Sequence, residues 1–370
     1  MDKESKLVDK KSKFMDKESK FMDKESKFEV IRTITAIFIA LLIAFTIILF
    51  VSDEPLTTIK YFAFGPLLKT RYMGNVIEQT IPLIFSGVAT AILFQSGLFN
   101  LGSEGIYYFS GLLAAIIGIK LTLPGFMHPA VAILVGSIAG AIVMTIIGFL
   151  KAKWNASELV ISLMFNSILY GIGLYILNYY FKETNTTTLQ SVKMQSTALL
   201  DNILPGTRIH SGLIIAIATV IIIHLFMYKT RWGYELRMTG INKEFAKYSG
   251  INTGKVIIMA SVIAGAVAGI GGSVEILGMY DRFKWSALPG LGFDGALIAM
   301  LAKNKPSNII LSAFFLAYIR IGADLMARMT NVPAEMVGIM QGLIILLISG
   351  RKFMEGYKNR ALLKEAKING

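Results

Sequence analysis

Apolar runs of about 20 residues recur along this chain, and they constrain its fold more than any other feature. One helical crossing of a bilayer's hydrocarbon core takes about 20 apolar residues, and about ten such runs can be marked. They are 31–51, 76–95, 101–119, 129–150, 158–181, 209–228, 255–277, 287–302, 308–328 and 335–350, with 287–302 short and broken by Gly. Hydrophobic residues make up 54% of the 370 positions. A soluble domain would have to bury every one of these runs on all sides, so the pattern argues for an all-α integral membrane protein with a transmembrane domain over 31–350.

Basic residues orient such a chain, because Lys and Arg accumulate in cytoplasmic loops. With the N-terminus inside and ten spans, the inside segments hold most of the 37 Lys and Arg. The loop after the sixth run carries Lys229, Arg231, Arg237, Lys243, Lys247 and Lys255, and the tail over 351–370 carries Arg351, Lys352, Lys358, Arg360, Lys364 and Lys367. The long outside loop, 182–208, has only Lys182, Lys193 and Arg208. This predicts cytoplasmic N- and C-termini. It also explains the net charge of +13 through membrane topology and anionic lipid, without nucleic acid. Cysteine is absent and the three His are scattered, so no metal site is expected.

Residues 1–28 are tandem heptads (MDKESKL, VDKKSKF, MDKESKF, MDKESKF). Their apolar residues are adjacent and then skip six positions, whereas a coiled-coil seam alternates spacings of three and four. A disordered or weakly helical cytoplasmic tail over 1–30 is expected, with a helix on the membrane surface as the alternative.

Two motifs place a carboxylate inside an apolar stretch beside Gly: Phe99-Asn100-Leu101-Gly102-Ser103-Glu104-Gly105 and Gly292-Phe293-Asp294-Gly295. A charge at membrane depth costs roughly 2.5–3.5 kcal/mol on insertion scales, so it faces a bundle interior or an aqueous path. Glu104 and Asp294 either line a solute path or act structurally, capping a half-helix or pairing with a cation. Phe99 and Phe293 either stack on a planar solute or pack the bundle. Asn100 belongs to the same candidate path. Asn166, inside the fifth run, bonds across helices or to solute. Arg320 and Asp324 stand four residues apart, the spacing of a local ion pair. Gly136 with Gly140, and Gly265 with Gly269, form small-xxx-small faces for close helix contact.

The inside loop carries Asn242 as an N-cap, Glu244 in a first turn and Gly250 as a helix stop, bounding a helix of about two turns. Phe245 and Tyr248 share one face at i,i+3, as an apolar handle for a partner or for packing on the protein's own membrane domain. Gly250 to Lys255 fails as a phosphate loop, because the spacing is short and Val256 follows the Lys. No other nucleotide-binding motif appears, so ATP, if used, binds another subunit.

At this point the residues resemble a known family. Gly97–Gly105, Ser157–Asn166, Gly240–Gly250, Gly290–Leu301 and Val332–Leu343 occur in the order seen in the membrane permeases of ATP-binding-cassette importers for nucleosides. These are relatives of the ribose and simple-sugar permeases, and Gly292–Gly295 looks like the nucleoside branch. The resemblance covers about residues 75–350 and leaves the heptad tail without a counterpart. It implies two inverted five-helix halves and no enzymatic activity on this chain. It implies a cytosolic ATPase subunit that binds ATP and Mg, a second permease (a heterodimer rather than a homodimer) and an extracytoplasmic substrate-binding lipoprotein, all at a bacterial cell membrane. Gly240, Glu244, Phe245, Ala246, Tyr248 and Gly250 match the segment that couples to the ATPase. The rival class is a self-contained secondary transporter with Glu104 or Asp294 as a proton relay.

Overall fold

The structure is a computed structural model that describes residues 52–184 and 186–332, with scattered positions between Thr35 and Leu49 and Gly342. The expected heptad tail, the basic C-terminal tail and, apart from Gly342, the run at 335–350 lie outside the described residues, as does most of the first run. Every regular element described is helical. Strand pairing among these residues is limited to isolated bridges, Lys182 with Ser191 and Asn202 with His210.

The helices are α1 (Pro55–Leu68), α2 (Thr70–Gln95), α3 (Ser103–Lys120), α4 (Met127–Trp154), α5 (Glu158–Ile176), α6 (Gly212–Lys229), α7 (Arg231–Ile241), α8 (Lys243–Tyr248), α9 (Thr253–Met279), α10 (Leu291–Leu301) and α11 (Pro306–Met329). Among the described residues, six are long and apolar enough to cross a membrane: α2, α4, α5 with its π-helical extension to Phe181, α6, α9 and α11. The expected runs 101–119 and 287–302 become α3 and the short α10. α1 and α7 are helices that hydrophobic periodicity did not announce. The chain is therefore an all-helical, multi-pass membrane protein.

Contacts divide the chain into two units, residues 1–60 with 326–370 and residues 61–325. In the first, Ser52 Oγ and Thr58 Oγ1 lie 2.7 Å apart at the start of α1. The second holds everything that follows. Its centre is α9, packed on α4, α3 and α2. The α4–α9 seam is made of small residues, as the glycine spacing predicts. A Cβ on Gly140 would sit 2.3 Å from the Gly265 carbonyl oxygen, and one on Gly269 would sit 2.3 Å from that of Gly136. Such closeness replaces the hydrophobic drive that lipid removes with van der Waals contact.

The second unit has two distinguishable ends. At one, the C-termini of α2 and α6 meet the α10–α11 turn, where Gln95 Nε2 donates to the Asn304 carbonyl and approaches the Tyr228 hydroxyl. At the other, the loop over 182–211 covers the C-termini of α3 and α9, with Gln195 N–H on the Gly118 carbonyl and Leu200 N–H on the Leu277 carbonyl. An aromatic cluster of Tyr108, Tyr170, Phe283 and Trp285 packs in the interior.

Candidate translocation site

Both acid–Gly motifs fall where an extended segment turns into a helix. Residues 98–102 lead into α3, and residues 280–290 lead into α10. Extended backbone at membrane depth needs its polar groups satisfied by protein. For the first segment, α5 does this with side chains at i, i+4 and i+8, a spacing that aligns them on one helix face. Glu158 Oε1 accepts from Phe99 N–H at 3.3 Å, and Ser162 Oγ accepts from Leu101 N–H at 3.2 Å. Asn166 Oδ1 accepts from Gly105 N–H at 2.9 Å while its Nδ2 donates to the Leu101 carbonyl at 3.1 Å. Lys151 holds Glu158 at 2.8 Å. Asn166 thus bonds helix to helix. Asn100, buried, turns its Oδ1 back to Gly102 N–H at 2.6 Å.

The second segment is satisfied by its surroundings in the same way. The Phe283 carbonyl accepts from Ser191 N–H at 2.9 Å, and Phe283 N–H donates to the Ser191 hydroxyl at 3.0 Å. Tyr170 donates to the Ser286 carbonyl at 2.7 Å, and Ser86 donates to the Leu291 carbonyl. The two segments meet at Glu104. Its carboxylate accepts from Gly290 N–H and Gly292 N–H, both at 2.5 Å, and so caps α10 from the first turn of α3. A carboxylate is the natural partner for a helix N-terminus. Gly290 supplies the turn with φ +81°, and a Cβ on Gly292 would lie 2.8 Å from that of Glu104. Only Gly fits either position.

One turn into α10, Asp294 is buried and held in a two-point fork by Arg320 of α11: Nη1 to Oδ2 at 2.6 Å and Nη2 to Oδ1 at 2.5 Å. This corrects the expectation of a local Arg320–Asp324 pair, since both terminal nitrogens of Arg320 go to a different helix. Spacing four apart permits a pair within a helix, but the bidentate geometry of Asp294 takes the guanidinium. Phe99 is half-exposed and stacks on Phe94 with centroids 5.1 Å apart, and Phe293 is exposed.

The expected coupling residues lie in α7–α8 and its stop. Thr230 caps α7 by accepting from Gly233 N–H at 3.1 Å, and Asn242 caps α8 by accepting from Phe245 N–H at 2.9 Å. Gly250, at φ +84°, ends α8 with Ile251 N–H on the Ala246 carbonyl and Gly250 N–H on that of Lys247. A glycine in this conformation closes a helix by satisfying its last carbonyls. Ala246 is buried beneath α8, Glu244 sits in its first turn, and Phe245 and Tyr248 point outward at 56% and 90% exposure. Gly240 lies so close to α2 that a Cβ would be 1.9 Å from the Gln95 carbonyl oxygen. The loop is therefore anchored on the end of α2, with its aromatic pair left free.

Residues 72–349 match the family described as branched-chain amino acid transport system / permease component. The chain belongs to this permease family. It is 32% identical over 282 residues to the guanosine ABC transporter permease protein NupP of Bacillus subtilis, covering 75% of this chain and 81% of that one. It is 29% identical to the glucose ABC transporter permease protein TsgB13 of Haloferax volcanii, covering 77% and 78%. It is 26% identical to the nucleoside ABC transporter permease protein NupB of Lactococcus lactis, covering 88% and 92%. These relatives are transport subunits, not enzymes.

Two further acids, outside both acid–Gly motifs, also enter this permease's interior. Glu78 and Glu275 are buried at 4% and 7% exposure, in the runs 76–95 and 255–277. The signal that marked Glu104 and Asp294, an acid inside an apolar run, was present for both.

Proposed function

We propose that this permease carries nucleosides into the cell as the membrane subunit of an ATP-driven importer. Its similarity to NupP and NupB over most of its length carries this assignment. Ten spans in two inverted halves, with both termini cytoplasmic, fit the arrangement of the two broken segments. Each leads into a helix whose first turn bears an acid, and inverted repeats with broken helices are a recurrent transporter design. The solute path passes the meeting point of α3 and α10, lined by Phe99, Asn100, Glu104, Asn166, Phe293 and Asp294. A cytosolic ATPase docks on Gly240–Gly250 through Phe245 and Tyr248 and binds ATP with Mg. A second, different permease and an extracytoplasmic binding lipoprotein complete the machine in a bacterial cell membrane. ATP binding then shifts the pair of permeases between inward- and outward-open states.

The test is guanosine uptake by vesicles holding the complete complex. Uptake should require ATP and stop when Phe245 and Tyr248 are both changed to Ala, with membrane insertion retained. Uptake that continues without ATP on a proton gradient alone would replace this function with carboxylate-coupled secondary transport.

A further inference from the structure

Glu275 is the least explained group in the interior. It lies on α9, one turn before the helix ends at Met279, and its Oε2 is fully buried with no hydrogen-bond partner among the described residues. Its neighbours Val274, Ile276 and Leu277 show what this stretch of helix ordinarily carries. A buried carboxyl without a donor is costly and is kept where it meets something other than its own protein. Across from it on α2 stands Glu78, 4% exposed, whose buried Oε1 also accepts no hydrogen bond. The cation nearest to Glu78, the exposed Arg208, places Nε at 3.8 Å, too far for a hydrogen bond. Pro82 removes the N–H that would otherwise bond the Glu78 carbonyl within α2. Glu275 is within electrostatic reach of both Glu78 and Asp294.

We propose that Glu275 and Glu78 form a solute subsite that accepts hydrogen bonds from adjacent hydroxyl groups, such as the 2′,3′-diol of a ribose. The site offers acceptors and so selects donors. A neutral diol brings two donors at the spacing a carboxylate takes, the contact by which dinucleotide-binding folds hold ribose. A metal ion is disfavoured, because no group of three or more His, Cys, Asp or Glu among the described residues could hold one. The subsite lies toward the end covered by the 182–211 loop, opposite the α7–α8 loop, with the Glu104–Asp294 level beyond it. A solute entering from the loop end meets it first. This assignment rests on the nucleoside function proposed above.

The experiment compares ATP-dependent uptake of guanosine and 2′,3′-dideoxyguanosine by vesicles containing the complete complex, wild type against Glu275→Gln. The binding protein is the same in both, so a change in the ratio of the two rates belongs to the permease. Replacing this carboxyl by an amide should lower the guanosine-to-dideoxyguanosine ratio by several-fold, the size of one lost hydrogen bond of about 1 kcal/mol. Glu78→Gln should shift the ratio in the same direction, and it carries the comparison if Glu275→Gln does not assemble. An unchanged ratio, whether both rates fall together or neither falls, overturns the subsite and leaves nucleoside transport standing. A wild-type complex that imports neither compound overturns both.

Discussion

Replacing Arg320 by Met should destabilise this permease more than any surface change, and the reason can be worked from geometry. Asp294 is 5% exposed and accepts two short bonds from the Arg320 fork. Removing the guanidinium leaves a carboxylate in the interior of a membrane bundle with neither charge partner nor donors. Breaking a buried pair by removing one partner costs about 3–5 kcal/mol. The side chain of Arg320 is 26% exposed, so water reaches part of it and the low end, about 3 kcal/mol, is expected. Asp294→Asn should cost a similar amount, since it turns one acceptor into a donor facing Arg320. The double variant Asp294→Asn with Arg320→Met removes both charges and leaves nothing uncompensated, so its loss should be no larger than that of either single variant. The coupling energy is then about 3 kcal/mol, at the upper end of values for residues in contact. Thermal unfolding of the purified complex in detergent measures all four proteins, with the singles expected to melt roughly 6 °C lower, at about 2 °C per kcal/mol for a chain of this size. Additive losses in the double variant, or single losses below about 1 kcal/mol, would refute the claim that this ion pair ties α10 to α11.

Further outcomes can be read with the same preparations. Gly265→Ala should cost about 1–3 kcal/mol, because its Cβ would press on the Gly140 carbonyl oxygen at 2.3 Å, whereas Gly171→Ala, with open space around it, should be neutral or stabilising by up to about 1 kcal/mol. Melting temperatures of the two variants check this. Gly240→Ala should uncouple the ATPase without preventing membrane insertion, because a Cβ there collides with the end of α2; co-purification of the ATPase reads it out. His210, in the loop ahead of α6, is buried and its pKa falls from 6.5 to about 4 because burial penalises the charged ring. The unfolded chain therefore binds a proton that the folded one excludes. Stability should be full above about pH 6.5, decline as the pH falls toward 4, and lose about 3 kcal/mol in all; a His210→Gln protein should show a flatter profile over that window.

Much of this architecture can be read from one dimension. Apolar runs of membrane-crossing length mark α2, α4, α5, α6, α9 and α11, because lipid leaves a spanning chain few structures besides the helix. Asn242 and Gly250 mark the limits of α8, since capping chemistry acts within a few residues. Gly136, Gly140, Gly265 and Gly269 announce the α4–α9 seam by their spacing. The acids at 104 and 294 declare themselves as anomalies in apolar sequence. Their partners do not. Which backbone N–H groups Glu104 caps, which guanidinium Asp294 holds, and how Glu158, Ser162 and Asn166 zip onto residues 99–105 depend on segments far apart in the chain. Arg320 shows the difference: its nearest acid in sequence is Asp324, yet its fork closes on Asp294. Hydrophobic length is a local property and sequence records it; the pairing of buried polar groups is a property of packing, so only the tertiary structure decides it.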